Sequence, residues 1–138
     1  VSERMSLVVF SGTVDKLMPV AILTSGAVAM GMEVEIFLTF WGLDAFRKGR
    51  PETLTRMSRD YEDLAPAMAA LMREKEVPSW YTTLRAAKEI GPVTIHACAM
   101  TMDLQGLTKD DLDDIVDDVV GAAEFVDRAR EGKITLFI

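Results

Sequence analysis

Cys98 and His96 are the sole cysteine and the sole histidine of the sequence. Any thiol chemistry must therefore use one sulfur atom. They lie within Thr94 to Asp103, where an apolar strand pattern, Val93 to Ala97, gives way to a short helix. Alternate residues of a strand share a face, so His96 and Cys98 come to one side if the extension continues through Cys98. A cysteine at the carboxyl end of a parallel strand, just before the free N–H groups of a helical turn, meets donors and a helix dipole that favour the thiolate. Such placement lowers a thiol pKa from its free value of about 8.5. The N–H groups of Ala99, Met100, Thr101 and Met102 are expected to face the anion, with Thr101 adding a hydroxyl donor and His96 positive charge. Met100 and Met102 are expected to pack beneath the loop rather than touch sulfur. The alternative is that Cys98 is a small core hydrophobe, as free cysteines often are.

The elements that must position this stretch alternate between strand and helix. Leu7 to Phe10 reads as a strand covered on both faces, and Ser11 to Asp15 as the turn into a helix over Lys16 to Met30. That helix is apolar nearly all the way round, as a helix sandwiched in a core or an oligomer would be, and Gly31 is its expected C-cap. Glu33 to Thr39 is the second strand. In open α/β sheets ligands bind outside the carboxyl ends of the strands, so Ser11, Gly12, Phe40 and Trp41 are candidates for the wall of a pocket there. Asp44 to Asp60 is the least regular part and carries the local positive bias, Arg47, Lys48, Arg50, Arg56 and Arg59, read as solvated surface.

Tyr61, Leu64, Ala65, Met68, Leu71 and Met72 recur at helical spacing and suit a core or a subunit interface. Ser79 caps a helix that ends at Gly91-Pro92, before the strand that delivers Cys98. Asp103 to Leu107 reads as one short turn, Thr108 as the cap of a further helix, and Ile115 to Val120 as containing a short strand. Gly121 to Arg130 is a helix and Ile134 to Phe137 the last strand. Alternation of this kind predicts one α/β domain over residues 1–138, a parallel sheet with helices on both faces.

Composition narrows the function. Twenty-two acids against 15 bases give a net charge of −7, without the basic stripe of a nucleic-acid binder, so no nucleic-acid partner is expected. Leu17 to Gly31 would be only about 22 Å long as a helix against a hydrocarbon core of about 30 Å, so membrane insertion is not expected. A single cysteine excludes an internal disulfide and suits a reducing cytoplasm, and the amino terminus lacks the pattern of a secretory signal. No metal is expected, since one His and one Cys cannot make a zinc site alone, and Asp113, Asp114, Asp117 and Asp118 read as a solvated acidic edge. P-loop, dinucleotide and hydrolase-elbow motifs are absent, as is a C-x-x-C pair, and no cofactor is called for.

Five segments carry a resemblance. They are Phe10-Ser11-Gly12 with Asp15-Lys16, Ala27 to Val34, Phe37 to Leu43, Ala97 to Leu107 with its Cys-x-Met-x-Met-Asp run, and more weakly Gly121 to Phe125. Across nearly the full chain the sequence resembles the DsrE/DsrF-like (DsrEFH-like) family, in its DsrE-like branch often labelled "peroxiredoxin family". The resemblance implies a three-layer α/β/α domain around a five-stranded, largely parallel sheet, with a tendency to oligomerise. It also implies sulfur handling, with Cys98 inheriting the position that holds sulfane sulfur as a persulfide in a relay with rhodanese-like and TusA-like proteins. The leading expectation is an intracellular sulfur carrier or sulfurtransferase-like homo-oligomer. The alternatives are a binding or regulatory module with an inert Cys98, and a peroxide-sensing thiol.

Overall fold

In the computed structural model, which describes residues 3–138, five parallel strands lie in the order β4-β3-β2-β1-β5. They are β1 (Arg4–Val9), β2 (Glu33–Leu38), β3 (Val93–Cys98), β4 (Asp118–Val120) and β5 (Ile134–Phe137). Register follows from hydrophobic alternation. Leu7 pairs with Ile36, and Ile36 with Ile95. With Val9, Val34, Leu38, Val93 and Ala97, these residues build the main core on one face, as period-two side-chain alternation requires.

Two long helices cover that face. In α1 (Val14–Ala29) the buried residues are Leu17, Val20, Ala21, Thr24 and Ala27, and it packs on α5 (Trp80–Ile90). Ser79 caps α5 by accepting the N–H of Thr82 at 3.1 Å. The other face is covered by α7 (Ala122–Ala129), whose Phe125 stacks on Phe37 of β2 with ring centroids 4.7 Å apart. Helices on both faces of a parallel sheet make the three-layer architecture expected from the alternation.

The structure corrects several expectations. The first strand starts at Arg4 and leaves Phe10 beyond its end, and α1 starts at Val14 rather than Lys16. The α1 helix is not enclosed all round: Ile22 and Met30 are 58% and 81% exposed. A helical turn, α2 (Trp41–Asp44), leads into the stretch from Asp44 to Asp60, which itself contains α3 (Arg50–Thr53), and Pro51 at the start of α3 is buried. The stripe from Tyr61 to Met72 supplies no core. A 3-10 turn over Arg59–Leu64 leads into α4 (Ala65–Glu74), and neither holds a buried residue. Thr108 caps only a 3-10 turn, Lys109–Asp111, because Leu112 is drawn into the core immediately after it.

Of the acids beyond it, only Asp113 departs from the solvated edge by burial, and Asp117 is tied down by contacts. Asp113 is buried and accepts the Tyr81 hydroxyl at 2.8 Å, and Asp117 binds Lys88 and the N–H of Ile95. Burial and the neighbouring Asp113 carboxylate push the Tyr81 phenol up to about 12. These contacts fasten the approach to β4 onto α5 and β3. Asp114, Asp117 and Asp118 are exposed, and Asp114 pairs with Arg85 at 2.9 Å.

Candidate functional site

Cys98 is the last residue of β3 and the N-cap of α6 (Ala99–Gln105). Helix follows the cysteine without an intervening loop, so the turn read at Asp103 to Leu107 lies four residues too late. Gly106 ends α6 in the left-handed conformation, with φ 65°, which a glycine adopts without strain. The orphan donors of the first turn of α6 are thereby placed against the sulfur.

Two kinds of neighbour surround that sulfur. On one side Phe37, Val120 and Phe125 pack with Cys98 in an apolar cluster, leaving it 6% exposed. On the other stand the hydroxyl and N–H of Thr101, the hydroxyl of Thr39 and the N–H of Met100. Burial pushes the thiol pKa up, but these donors, led by the Thr101 hydroxyl, outweigh it and hold the pKa below the ordinary cysteine value. Ala99 opens the helix, and Met102 is buried in the main core. The Met100 side chain does not pack beneath the loop: it is 73% exposed, and only its backbone turns to the sulfur.

Thr101 is fully buried and holds a second loop in place. Its Oγ1 accepts the N–H of Phe40 at 3.1 Å and lies 3.3 Å from Oγ1 of Thr39. Phe40 has φ 48°, a left-handed value that costs a non-glycine residue about 1–3 kcal/mol. The Thr101 bond offsets part of that cost and keeps Thr39 beside the thiol. Glycines allow this loop to lie close to its neighbours. An added Cβ on Gly12 would come 2.1 Å from the carbonyl oxygen of Trp41, and one on Gly42 2.1 Å from that of Val9. Gly12 therefore serves close backbone approach to Trp41.

His96 shares the α7 face with Cys98, yet both of its ring nitrogens are engaged elsewhere. Nε2 lies 2.8 Å from Oε1 of Glu35, and Nδ1 lies 2.5 Å from Oδ1 of Asp118. Glu35 also receives Nε of Arg128 at 2.6 Å and Nε of Arg4 at 2.9 Å. Burial raises the Glu35 pKa, but the bonds from Arg128 and His96 and the charge of Arg4 outweigh it and hold the pKa below the usual carboxylate value. This network ties α7 to four strands, β1, β2, β3 and β4.

Glu35, Thr39 and Arg128 were not singled out from sequence, and Asp118 was read only as solvated edge. The usable signal was an acid inside the apolar run Val34-Glu35-Ile36-Phe37, since a charge there needs partners. Of the proposed wall residues, Ser11, Gly12 and Trp41 line one cleft, which does not include Cys98 or Phe40. Phe40 instead joins an aromatic row, 6.0 Å from Phe10, which lies 5.9 Å from Phe137. Among the described residues no cluster of His, Cys, Asp and Glu could hold a metal ion.

The model of the DsrE/DsrF/DrsH-like family matches residues 1–62 and 50–137. The chain belongs to this family. Among DsrE-like relatives, YrkE of Bacillus subtilis, an uncharacterized protein, is 35% identical over 159 aligned residues, covering 99% of this chain and 98% of the relative. The sulfur carrier protein DsrE2 of Allochromatium vinosum is 29% identical over 157, with the same coverage of 99% and 98%.

Solved structures share the fold. MTH1491 of Methanobacterium thermoautotrophicum superposes with TM-score 0.62 at 16% identity, covering 99% of this chain and 100% of that one. The ychN protein of E. coli gives 0.62 at 13% identity, covering 100% of each. DsrE-like sequence and three-layer architecture thus coincide.

Proposed function

We propose that this chain is a sulfur carrier that holds sulfane sulfur as a persulfide on Cys98. The observation that carries the reading is the donor set on the thiol, Thr101, Thr39 and Met100, which favours the anion despite burial. The Cys98 thiolate attacks the outer sulfur of a donor persulfide, R–S–SH. A new S–S bond forms, the donor S–S bond breaks, and the donor departs as RS⁻, with the proton staying on the transferred sulfur. An acceptor thiolate then attacks the outer sulfur of Cys98–S–SH and releases the Cys98 thiolate. Neither step needs an outside oxidant or reductant, and both follow the rules of thiol–disulfide exchange.

At 6% exposure the sulfur cannot receive an acceptor in line, so transfer includes displacement of α7 or of the exposed Met100 side chain. Thr101 and Thr39 act as positioning donors in this reading, and His96 acts through α7 rather than on sulfur. The reading sets the protein in the reducing cytoplasm, where a lone thiol stays reduced. Among the described residues no helix is long and apolar enough to cross a membrane. Rhodanese-like or TusA-like proteins are the proposed donor and acceptor. Self-association as a homo-oligomer through α1 and α4 is favoured by the exposed Ile22, Leu64, Met68 and Leu71.

Intact-mass measurement after incubation with a small persulfide tests the proposal. The expected result is a gain of one sulfur in the native chain, none in Cys98→Ser, and its loss when an acceptor thiol is added. No gain in the native chain overturns the carrier and leaves a binding module. Gain of oxygen alone, on peroxide treatment, favours a sensing thiol.

A further inference from the structure

A second concave site lies at the same end of the sheet, on the α1 side. Strand order reverses at β1, with β2, β3 and β4 running out to one side and β5 to the other. Ligands of open parallel sheets bind outside the carboxyl ends of the strands, and the cleft lies beyond those of β1 and β2. Here Ser11, Gly12 and Thr13, which follow β1, form one wall of a cleft of about 710 Å³, within the range of about 300–1,000 Å³ typical of small-molecule sites.

Its charge is opposite to that of the protein as a whole. Lys16, Arg50, Arg56 and Arg59 line it against one carboxylate, Asp44. Arg47 and Arg50 both pair with Asp44. Among the described residues Lys16, Arg56 and Arg59 have no carboxylate partner, whereas Arg4, Arg85 and Arg128 are all paired. Asp15 does not neutralise them by an ion pair either, since its Oδ1 accepts the N–H of Ser58 at 3.0 Å. That bond and the one from Val14 N–H to the Arg56 carbonyl, at 2.8 Å, fix the far wall onto the start of α1. Trp41, 58% exposed, stands at the rim, its backbone seated against Gly12.

Unpaired guanidinium groups recognise phosphate by forked hydrogen bonds, and an exposed indole offers a flat face for a ring. We propose that this cleft binds a small phosphorylated ligand of the nucleoside diphosphate class, with Lys16, Arg56 and Arg59 on the phosphates and Trp41 against the ring. The hydroxyls of Ser11 and Thr13 complete the phosphate wall. The site is separate from Cys98, so it stands or falls independently of sulfur transfer.

Titration calorimetry of the full chain with ADP and with inorganic pyrophosphate tests it. ADP is expected to bind with sub-millimolar affinity and more tightly than pyrophosphate, and to weaken as salt is added. Arg56→Gln and Arg59→Gln are each expected to weaken ADP about tenfold, the loss of one charge-assisted contact. These side chains are exposed, so the variants keep the wild-type melting temperature. Cys98→Ser is expected to bind ADP like the native chain. Absence of binding by both probes, or an ADP affinity unchanged in the Arg56→Gln/Arg59→Gln double variant, overturns the proposal; equal affinities for ADP and pyrophosphate overturn the ring contact at Trp41.

Discussion

Thr101→Val isolates the donor that leads the stabilisation of the Cys98 thiolate. Valine keeps the β-branched shape at a fully buried position, so packing is retained while the hydroxyl is lost. A hydrogen bond to a charged group contributes about 1.5–3 kcal/mol, and a pKa unit corresponds to about 1.4 kcal/mol. The Cys98 pKa should therefore rise by about 1–2 units. Once it lies above the working pH, each unit removes about nine-tenths of the thiolate, while nucleophilicity grows about threefold, so the rate of sulfur uptake falls about threefold per unit. The same substitution orphans the N–H of Phe40, now bonded to Thr101 at 3.1 Å, at a stability cost of about 1–3 kcal/mol. The pH dependence of iodoacetamide alkylation gives the pKa, and thermal melting gives the stability. A Thr101→Val protein that melts lower yet keeps its thiol pKa would refute the hydroxyl as the thiolate's donor. Unchanged pKa and unchanged melting together would refute the whole arrangement around Thr101.

Two further perturbations address what covers the sulfur. Glu35→Gln leaves Arg128 without its carboxylate and Arg4 with Glu33 alone, and should cost about 2–3 kcal/mol, below the ~3–5 of a fully enclosed pair because the Arg128 side chain is 46% exposed; urea denaturation measures it. Because the Glu35 pKa is lowered on folding, its contribution is complete above the unfolded carboxyl pKa of about 4.3 and is lost as pH falls through the lower folded value. Acid melting curves of native and Glu35→Gln protein should therefore converge below that window, and a constant gap down to the lowest pH would contradict the linkage. Phe125→Leu weakens the stack on Phe37 by about 1 kcal/mol, which should raise Cys98 alkylation about fivefold if α7 must lift for access. A lower melting point with no change in alkylation would place the entry route on the Met100 side instead.

The fold was legible because the apolar strand runs and the helix stops are local signals. Gly31 and Gly91-Pro92 each mark an end, and Ile134 to Phe137 is a strand as read. What misled was periodicity without a partner. The Tyr61 to Met72 stripe has a helix period, yet none of its residues is buried; it meets α1 only along a groove and stays largely in solvent. Helical spacing states which residues share a face and is silent on whether that face meets anything.

The site was legible only along the chain. Cys98 at a strand end before a helix follows from neighbouring residues, and so do the donors Thr101 and Met100. Thr39 comes from a strand 59 positions earlier, and its place beside the thiol depends on the parallel register that sets Leu38 against Ala97. The same register explains His96. It shares the face of Cys98, but Glu35 one strand over and Asp118 opposite it in β4 lie within hydrogen-bond reach of its ring. Sequence spacing put His96 beside the cysteine, and cross-strand pairing turned it toward the carboxylates. The sheet face under α7 is consequently divided along the strands, with a charged half near Glu35 that holds the helix down and an apolar half near Phe37 and Phe125 that covers the sulfur. Lifting the apolar half exposes Cys98 while the ion pairs keep α7 attached, which is the mechanical basis for expecting Phe125→Leu to alter access and Glu35→Gln to alter stability.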